Sequence, residues 1–221
     1  MRQLLLSLKL REDATFSNFY SAKNKALVEY LQHPNEKLIY LTGKRHTGLT
    51  HLLQALCHIQ ANCLYIPLKN RQAFSPEILH NSAQLNLVAV DDIDTLSAER
   101  EWEEALFEVF NQMTLSQNLL VISGHIPPSQ LTLKLPDLKS RLQSMLCLTI
   151  EPLTDEEKIA VLQQRAHQRG FELPAQVSHF LLTHAPRDLS ELIRLFEKLD
   201  KISLEEKRRL TIPLVKKALF K

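Results

Sequence analysis

From Gly43 to Thr50 the chain reads Gly-Lys-Arg-His-Thr-Gly-Leu-Thr, with a short apolar run (Leu38 to Leu41) before it and an apolar periodic segment after it. Glycines at this spacing let backbone N–H groups converge on a phosphate at a helix N-terminus, and Thr50 stands where a hydroxyl would reach Mg²⁺. The lysine that normally follows the second glycine is replaced by Leu49. A strand-to-helix turn that holds no phosphate would need the same two glycines, so the loop alone leaves both readings open. Composition favours a built loop, because the whole chain has only four glycines and Gly43 and Gly48 are two of them.

Further along, Val88-Ala-Val-Asp91-Asp92 puts two carboxylates at the carboxyl end of an apolar strand, where open α/β sheets place their ligands. Asp91 is expected to hold Mg²⁺ through water, and Asp92 to take the place of the glutamate that activates an attacking water. The competing reading is a solvated acidic turn. Ser123-Gly124-His125 ends another apolar strand in small polar groups suited to sensing a γ-phosphate, although His125 by itself reads first as a solvent-facing loop residue. Arg141 falls on a short helical segment, Leu135 to Leu142. Such an arginine is either a surface ion-pair partner or, in P-loop ATPases that form rings and filaments, the group aimed at a neighbour's nucleotide. Arg187 is either an exposed charge or a residue reaching back to a phosphate.

The elements that must position these groups are legible as alternating periods. Apolar runs at Leu38–Leu41, Cys63–Pro67, Leu87–Asp92, Leu119–Ser123 and Leu146–Ile150 predict five strands. Helical segments lie between them: Leu27, Val28 and Leu31 after Asn24, Thr50 to about Ala61, and Arg100 to Leu115. Continuous apolar strands alternating with helices argue for a parallel sheet covered on both faces. Phe16, Phe19 and Tyr20 precede the loop, either as the wall of an adenine pocket or as core. After Glu151 the pattern becomes all-helical, opening with the capping box Thr154-Asp-Glu-Glu157 and with Gly170 as a stop. The predicted division is a tail of residues 1–10, an α/β domain of 11–152 and a helical domain of 153–221.

At 221 residues, 44% apolar and 24% charged, the composition is that of a globular protein, and a net charge of +2 does not announce a nucleic-acid binder. No segment has the length of a membrane span or the h-region of a signal peptide, so a cytoplasmic protein is expected. Cys57, Cys63 and Cys147 lie in apolar surroundings without ligand spacing and read as buried reduced thiols. In the tail, Gln3, Leu4, Leu6 and Leu8 form Q-L-x-L-x-L, similar to the peptide by which bacterial proteins dock on the replication sliding clamp, amide in a polar notch and leucines in an apolar pocket. A disordered or edge-strand tail is the other reading.

Phe16-x-x-Phe19-Tyr20 with Asn24, the loop at Gly43 to Thr50, His51-Leu-Leu-Gln-Ala55, Asp91-Asp92, Pro127-Pro128, Leu135 to Leu142, Arg169-Gly-Phe-Glu-Leu-Pro174 and Leu210-Thr-Ile-Pro213 span nearly all of the chain. With these residues it resembles the DnaA-like AAA+ family, and more closely the family's regulatory-inactivator (Hda) branch. The resemblance implies an AAA+ P-loop domain with a five-stranded parallel sheet, followed by a small all-helical lid. It further implies a regulator that docks on the DNA-loaded sliding clamp (the β subunit of DNA polymerase III) and promotes hydrolysis of DnaA-bound ATP, preventing re-initiation of replication. The implied partners are DnaA, the clamp and, through it, DNA, with no membrane and with a homo-oligomer compatible. Carried over, Gln3, Leu4, Leu6 and Leu8 dock the clamp, Arg141 is an arginine finger in trans, and Gly43, Gly48, Thr50, Asp91, Asp92 and Arg187 surround ADP. Any Mg²⁺ accompanies the nucleotide through Thr50 and Asp91.

Three positions depart from the family pattern: Leu49 for the lysine, His125 for the aspartate of the first sensor, and Ala22 for a glycine near the adenine pocket. Loss of a charge-assisted contact costs about 1.5–3 kcal/mol, one to two orders of magnitude in affinity, so autonomous ATP hydrolysis is not expected. Two alternatives stand beside this reading, a nucleotide-free scaffold that bridges clamp and initiator, and a helicase-loader ATPase. The latter should keep the lysine.

Overall fold

The structure is a computed structural model, and it describes residues 10–20, 23–80, 82–96, 99–185, 189–206 and 210–219. Two compact units divide the chain at Glu151/Pro152. In the first, β1 (Leu38–Gly43), β2 (Cys63–Pro67), β3 (Leu87–Asp91), β4 (Leu119–Gly124) and β5 (Leu146–Ile150) form one sheet in the order β2-β3-β4-β1-β5, and every pairing is parallel. Parallel neighbours need long crossover connections, most of them helical. These include α2 (Leu49–Ile59) between β1 and β2 and α3 (Arg100–Ser116) between β3 and β4, while α1 (Lys25–Gln32) precedes β1 and α4 (Pro136–Gln143) precedes β5.

Successive strand residues point to opposite faces, so a run such as Ile39-Tyr40-Leu41, buried throughout, must be covered on both sides. On one face Tyr40, Val88, Val90 and Ile122 pack against Leu106, Phe110 and Met113 of α3 and Leu138 and Leu142 of α4. On the other, Ile39, Leu41, Ala89 and Val121 pack against Leu49, Leu52, Leu53 and Leu56 of α2 and Val28 and Leu31 of α1. The edge strand β5 is different, since exposure alternates along it and Cys147 lies exposed. The expectation of three buried thiols is corrected here: Cys57 is buried, Cys63 half-buried, and Cys147 is exposed because it shares with Thr149 the face of the edge strand that is left uncovered.

In the second unit, α5 (Asp155–Gln168), α6 (Ala175–His184), α7 (Leu189–Glu206) and α8 (Ile212–Leu219) enclose a separate core centred on Leu162, Leu181, Leu192, Phe196 and Val215. Thr154 caps α5 with both bonds of a capping box present, and Gly170 follows its end at φ 81°. Arg169 pairs with Asp200 at 2.7 Å and lies over the Phe196 ring, joining the end of α5 to α7. The Arg169-to-Pro174 segment that carries part of the family resemblance therefore serves packing in this unit.

Candidate functional site

The loop between β1 and α2 is held by its own backbone. The N–H and Oγ1 of Thr47 both donate to the carbonyl of Lys44, at 3.3 and 2.9 Å, closing a turn whose exposed crest is Lys44, Arg45 and His46. His46 at φ 68° and Gly48 at φ 98° adopt left-handed conformations, an alternation that turns successive N–H groups toward one side, as in anion-binding nests. Gly48 has no room for a side chain, because a Cβ there would stand 2.6 Å from the Phe19 ring. At Gly43 the corresponding distance is 2.7 Å to Thr47 Oγ1. Backbone shape thus fits a phosphate. The lysine position does not, since Leu49 is buried at 4% exposure in the core under α2.

The residues preceding the loop lie along α2. Gln54 Oε1 accepts from the N–H of Arg11 at 3.1 Å, while His51 and His58 donate through Nε2 to the carbonyls of Thr15 and Arg11 at 2.8 and 2.9 Å. Phe19 then meets the His51 ring, with 5.5 Å between centroids. Of the aromatics expected near an adenine pocket, Phe16 and Phe19 are half-packed on the core beside α2.

Asp91 ends β3 with no exposed surface. Tyr65 Oη donates to its Oδ2 at 2.8 Å and Ser123 Oγ to its Oδ1 at 2.5 Å. Burial, with Asp91 beside it, raises the Tyr65 phenol well above its ordinary pKa and keeps it a donor. Each carboxylate oxygen of Asp91 thus accepts one hydrogen bond and keeps a lone pair through which a water-mediated contact to Mg²⁺ would have to run. Among the described residues no group of three or more His, Cys, Asp or Glu is assembled for a metal ion.

Asp92 sits at φ 59°, its N–H bonded to Ser123 Oγ at 3.3 Å. Its carboxylate is shared between two cations, with His125 Nε2 3.3 Å from Oδ1 and Lys69 Nζ 3.4 Å from Oδ2. The Lys69 contact is Coulombic, without hydrogen-bond alignment, and leaves Oδ2 formally unsatisfied. His125 reaches the other way through Nδ1, 3.2 Å from the carbonyl of Gly43, while its backbone N–H donates to Asp94 Oδ1 at 2.9 Å. With an acceptor facing each ring nitrogen, the surroundings favour the doubly protonated ring. Consistently, its pKa is raised by the Asp92 bond first and by the Gly43 carbonyl and Asp94 besides, against burial. The Asp92 pKa is lowered by His125 and, more weakly, by Lys69, again against burial. The solvent-facing reading of His125 is replaced: it bridges the ends of β1, β3 and β4.

Arg141 lies on the exposed last turn of α4, its guanidinium 5.6 Å from the Phe110 ring centroid, and among the described residues no carboxylate pairs with it. The helix beneath it is well anchored. Pro136 occupies its first turn, Leu138 and Leu142 are fully buried, and the N–H of Leu135 donates to Glu103 Oε2 at 2.7 Å. Glu103 is wholly buried on α3 and escaped the reading of the sequence, although its signal was present: it occupies the same helical stripe as Leu106, Phe110 and Met113. Asn24, read in the sequence only as the residue ahead of a helix and as part of the family resemblance, ties the start of α1 to Glu151 with two bonds of 3.0 and 2.9 Å. Gln3, Leu4, Leu6, Leu8, Ala22 and Arg187 lie outside the described residues.

A parallel sheet with a phosphate-type loop after β1, paired carboxylates after β3 and a polar residue after β4, followed by a helical unit, defines an AAA+ P-loop module with its lid. The family models agree on both parts, residues 68–151 matching the bacterial DnaA ATPase domain and residues 155–219 the Hda lid domain. The chain belongs to the Hda/DnaA-like AAA+ family. An uncharacterized protein of Haemophilus influenzae is 41% identical over 227 residues, covering 99% of this chain and 98% of that protein. Among solved structures, domain III of the Thermotoga maritima replication initiation protein DnaA superposes with a TM-score of 0.80 at 21% identity, covering 96% of this chain and 97% of that one. AMPPCP-bound DnaA from Aquifex aeolicus gives a TM-score of 0.70 at 22% identity, over 90% of this chain and 70% of that one.

Proposed function

We propose that this chain is a regulatory inactivator of DnaA that docks on the DNA-loaded sliding clamp through Gln3, Leu4, Leu6 and Leu8 and promotes hydrolysis of DnaA-bound ATP. The carrying observation is an asymmetry. The groups needed for the chain's own catalysis are withdrawn, with Leu49 in the core and Asp92 tied to His125 and Lys69, while Arg141 stands exposed on an anchored helix without an acidic partner among the described residues. Such a chain is poorly equipped to activate water and well equipped to lend a guanidinium to a neighbour's nucleotide. Its loop geometry favours retention of ADP, held by the backbone around Gly43, Gly48 and Thr50. Mg²⁺, where it accompanies the nucleotide, is held through Thr50 and, by way of water, Asp91.

The test is phosphate release from DnaA-bound ATP in the presence of DNA-loaded clamp, comparing wild type with Arg141→Ala and Arg141→Lys. Arginine fingers supplied in trans are worth roughly 10³–10⁵ in rate in other phosphoryl-transfer systems, so Arg141→Ala should lose nearly all stimulation. Arg141→Lys should rescue poorly because an ammonium lacks the planar fork. Undiminished stimulation by Arg141→Ala would favour the second reading, a scaffold bridging clamp and initiator. The buried Leu49 speaks for that reading too, and ADP titration separates them.

A further inference from the structure

We propose that the His125 ring is the specificity-determining gate of the phosphate crevice, seated where a terminal phosphate would lie, so that a nucleoside diphosphate is admitted and a triphosphate enters only when the ring swings out. This rests on the reading that the loop holds nucleotide. In the sheet order, β3, β4 and β1 are adjacent, and the crevice for a ligand is at their carboxyl ends. A β-phosphate on the loop N–H groups lies at the end of β1, and a γ-phosphate continues toward the residues after β3 and β4. That path is the one the ring spans, 3.2 Å from the Gly43 carbonyl on one side and 3.3 Å from Asp92 on the other.

The ring is fixed from behind as well. Its backbone is held by Asp94 at 2.9 Å, and Gly124 before it is pinned so closely that a Cβ would stand 2.3 Å from Tyr40 Oη. Movement is therefore confined to the His125 side chain. An imidazolium could instead attract a γ-phosphate and act as a sensor, and the geometry argues against this. Nδ1 is already engaged by the Gly43 carbonyl and Nε2 faces Asp92 as an ion pair, with Asp94 close by and Lys69 sharing the Asp92 carboxylate. A phosphate oxygen can take an N–H only by stripping it from one of these acceptors, and it would then approach the Asp92 carboxylate with its main counter-charge diverted. If ring-out molecules make up about a tenth of the population or less, the apparent affinity for triphosphate falls about tenfold or more, while that for diphosphate is untouched.

The experiment is calorimetric titration of the full chain with ADP and with a non-hydrolysable ATP analogue, each with Mg²⁺, for wild type, His125→Ala and Asp92→Asn. Far-UV circular dichroism verifies the fold of each. His125→Ala should raise the ratio of ATP-analogue to ADP affinity about tenfold or more, with ADP affinity changed by less than about threefold. Asp92→Asn, which keeps the ring and releases its tether, should move the ratio the same way by less, and it carries the test if His125→Ala does not fold. An unchanged ratio in the variants overturns the gate while leaving the nucleotide reading intact. A fall in relative ATP-analogue affinity makes His125 a sensor and likewise overturns the gate. Absence of binding by wild type and variants alike sinks both readings.

Discussion

Leu49 shows how one side chain changes what a loop can do without changing its backbone. The nest of His46 and Gly48 keeps its shape, and the position that should carry a cation instead contributes to the core beneath α2. Leu49→Lys is therefore expected to act in two opposing ways. Burial worth about 1.5–3 kcal/mol is lost, while a lysine stem can run along the helix and bring its ammonium to the loop. Denaturation without nucleotide should show the loss, and saturating ADP should recover part of it; an equal loss with and without ADP would mean the loop no longer receives phosphate. The His125–Asp92 pair makes a separate prediction in pH. His125 is raised in the fold above its ordinary 6.5, so its contribution is complete below that value and is lost as pH rises through the folded pKa. Asp92 is lowered below its ordinary 3.8, so its part is complete above that value and is lost on acidification through the folded pKa. The stability difference between wild type and His125→Gln should thus be greatest between about pH 4 and 6.5 and shrink at alkaline pH, with Asp94 and Lys69 as the neighbouring charges. A difference that does not vary from pH 5 to 9 would refute the ion pair. None of this pairing was visible in the chain order, because His125, Gly43 and Asp92 meet only when three strands come side by side.

At the scale of elements, α4 illustrates how an exposed functional group depends on a buried one. Removing the Glu103 carboxylate leaves the Leu135 N–H without its partner, at about 1–3 kcal/mol. Glu103→Ala should lower stability by that amount and also weaken stimulation of DnaA, since the helix carrying Arg141 loses an anchor at its start. Chemical denaturation and the phosphate-release assay read the two effects, and full stimulation by a destabilised variant would disconnect them. The strands and most helices were legible because buried parallel strands read as apolar runs and each helix keeps one apolar stripe. β5 misled in one respect: the run Leu-Cys-Leu-Thr-Ile looks continuous, but its edge position exposes alternate residues, Cys147 among them. The glycine loop was legible from its spacing, and the carboxylates of β3 from the strand before them. Glu103 and Asn24 were not, since a polar residue on an apolar stripe or ahead of a helix gives no hint of the backbone atom it will meet.

At the scale of the molecule, each unit has its own core. If residues 1–9 serve as the docking tail alone, their truncation should abolish clamp binding while shifting the melting temperature by no more than about a degree or two. Surface plasmon resonance on immobilised clamp, with a melting curve on the same preparation, decides this. A large drop in melting temperature would make the tail a structural strand.

The way residues 11–15 lie along α2 carries a consequence for how this chain tolerates change. Three hydrogen bonds join His51, Gln54 and His58 to main-chain atoms of this stretch, the carbonyl of Thr15 and the N–H and carbonyl of Arg11. Every amino acid except proline offers the same atoms, so at Arg11 and Thr15 the helix reads the main chain and not the side chain. Spelling can drift at those two positions while Ala14 between them, 1% exposed, is held by packing, and a single-residue deletion between Arg11 and Thr15 should do more damage than substitution of both.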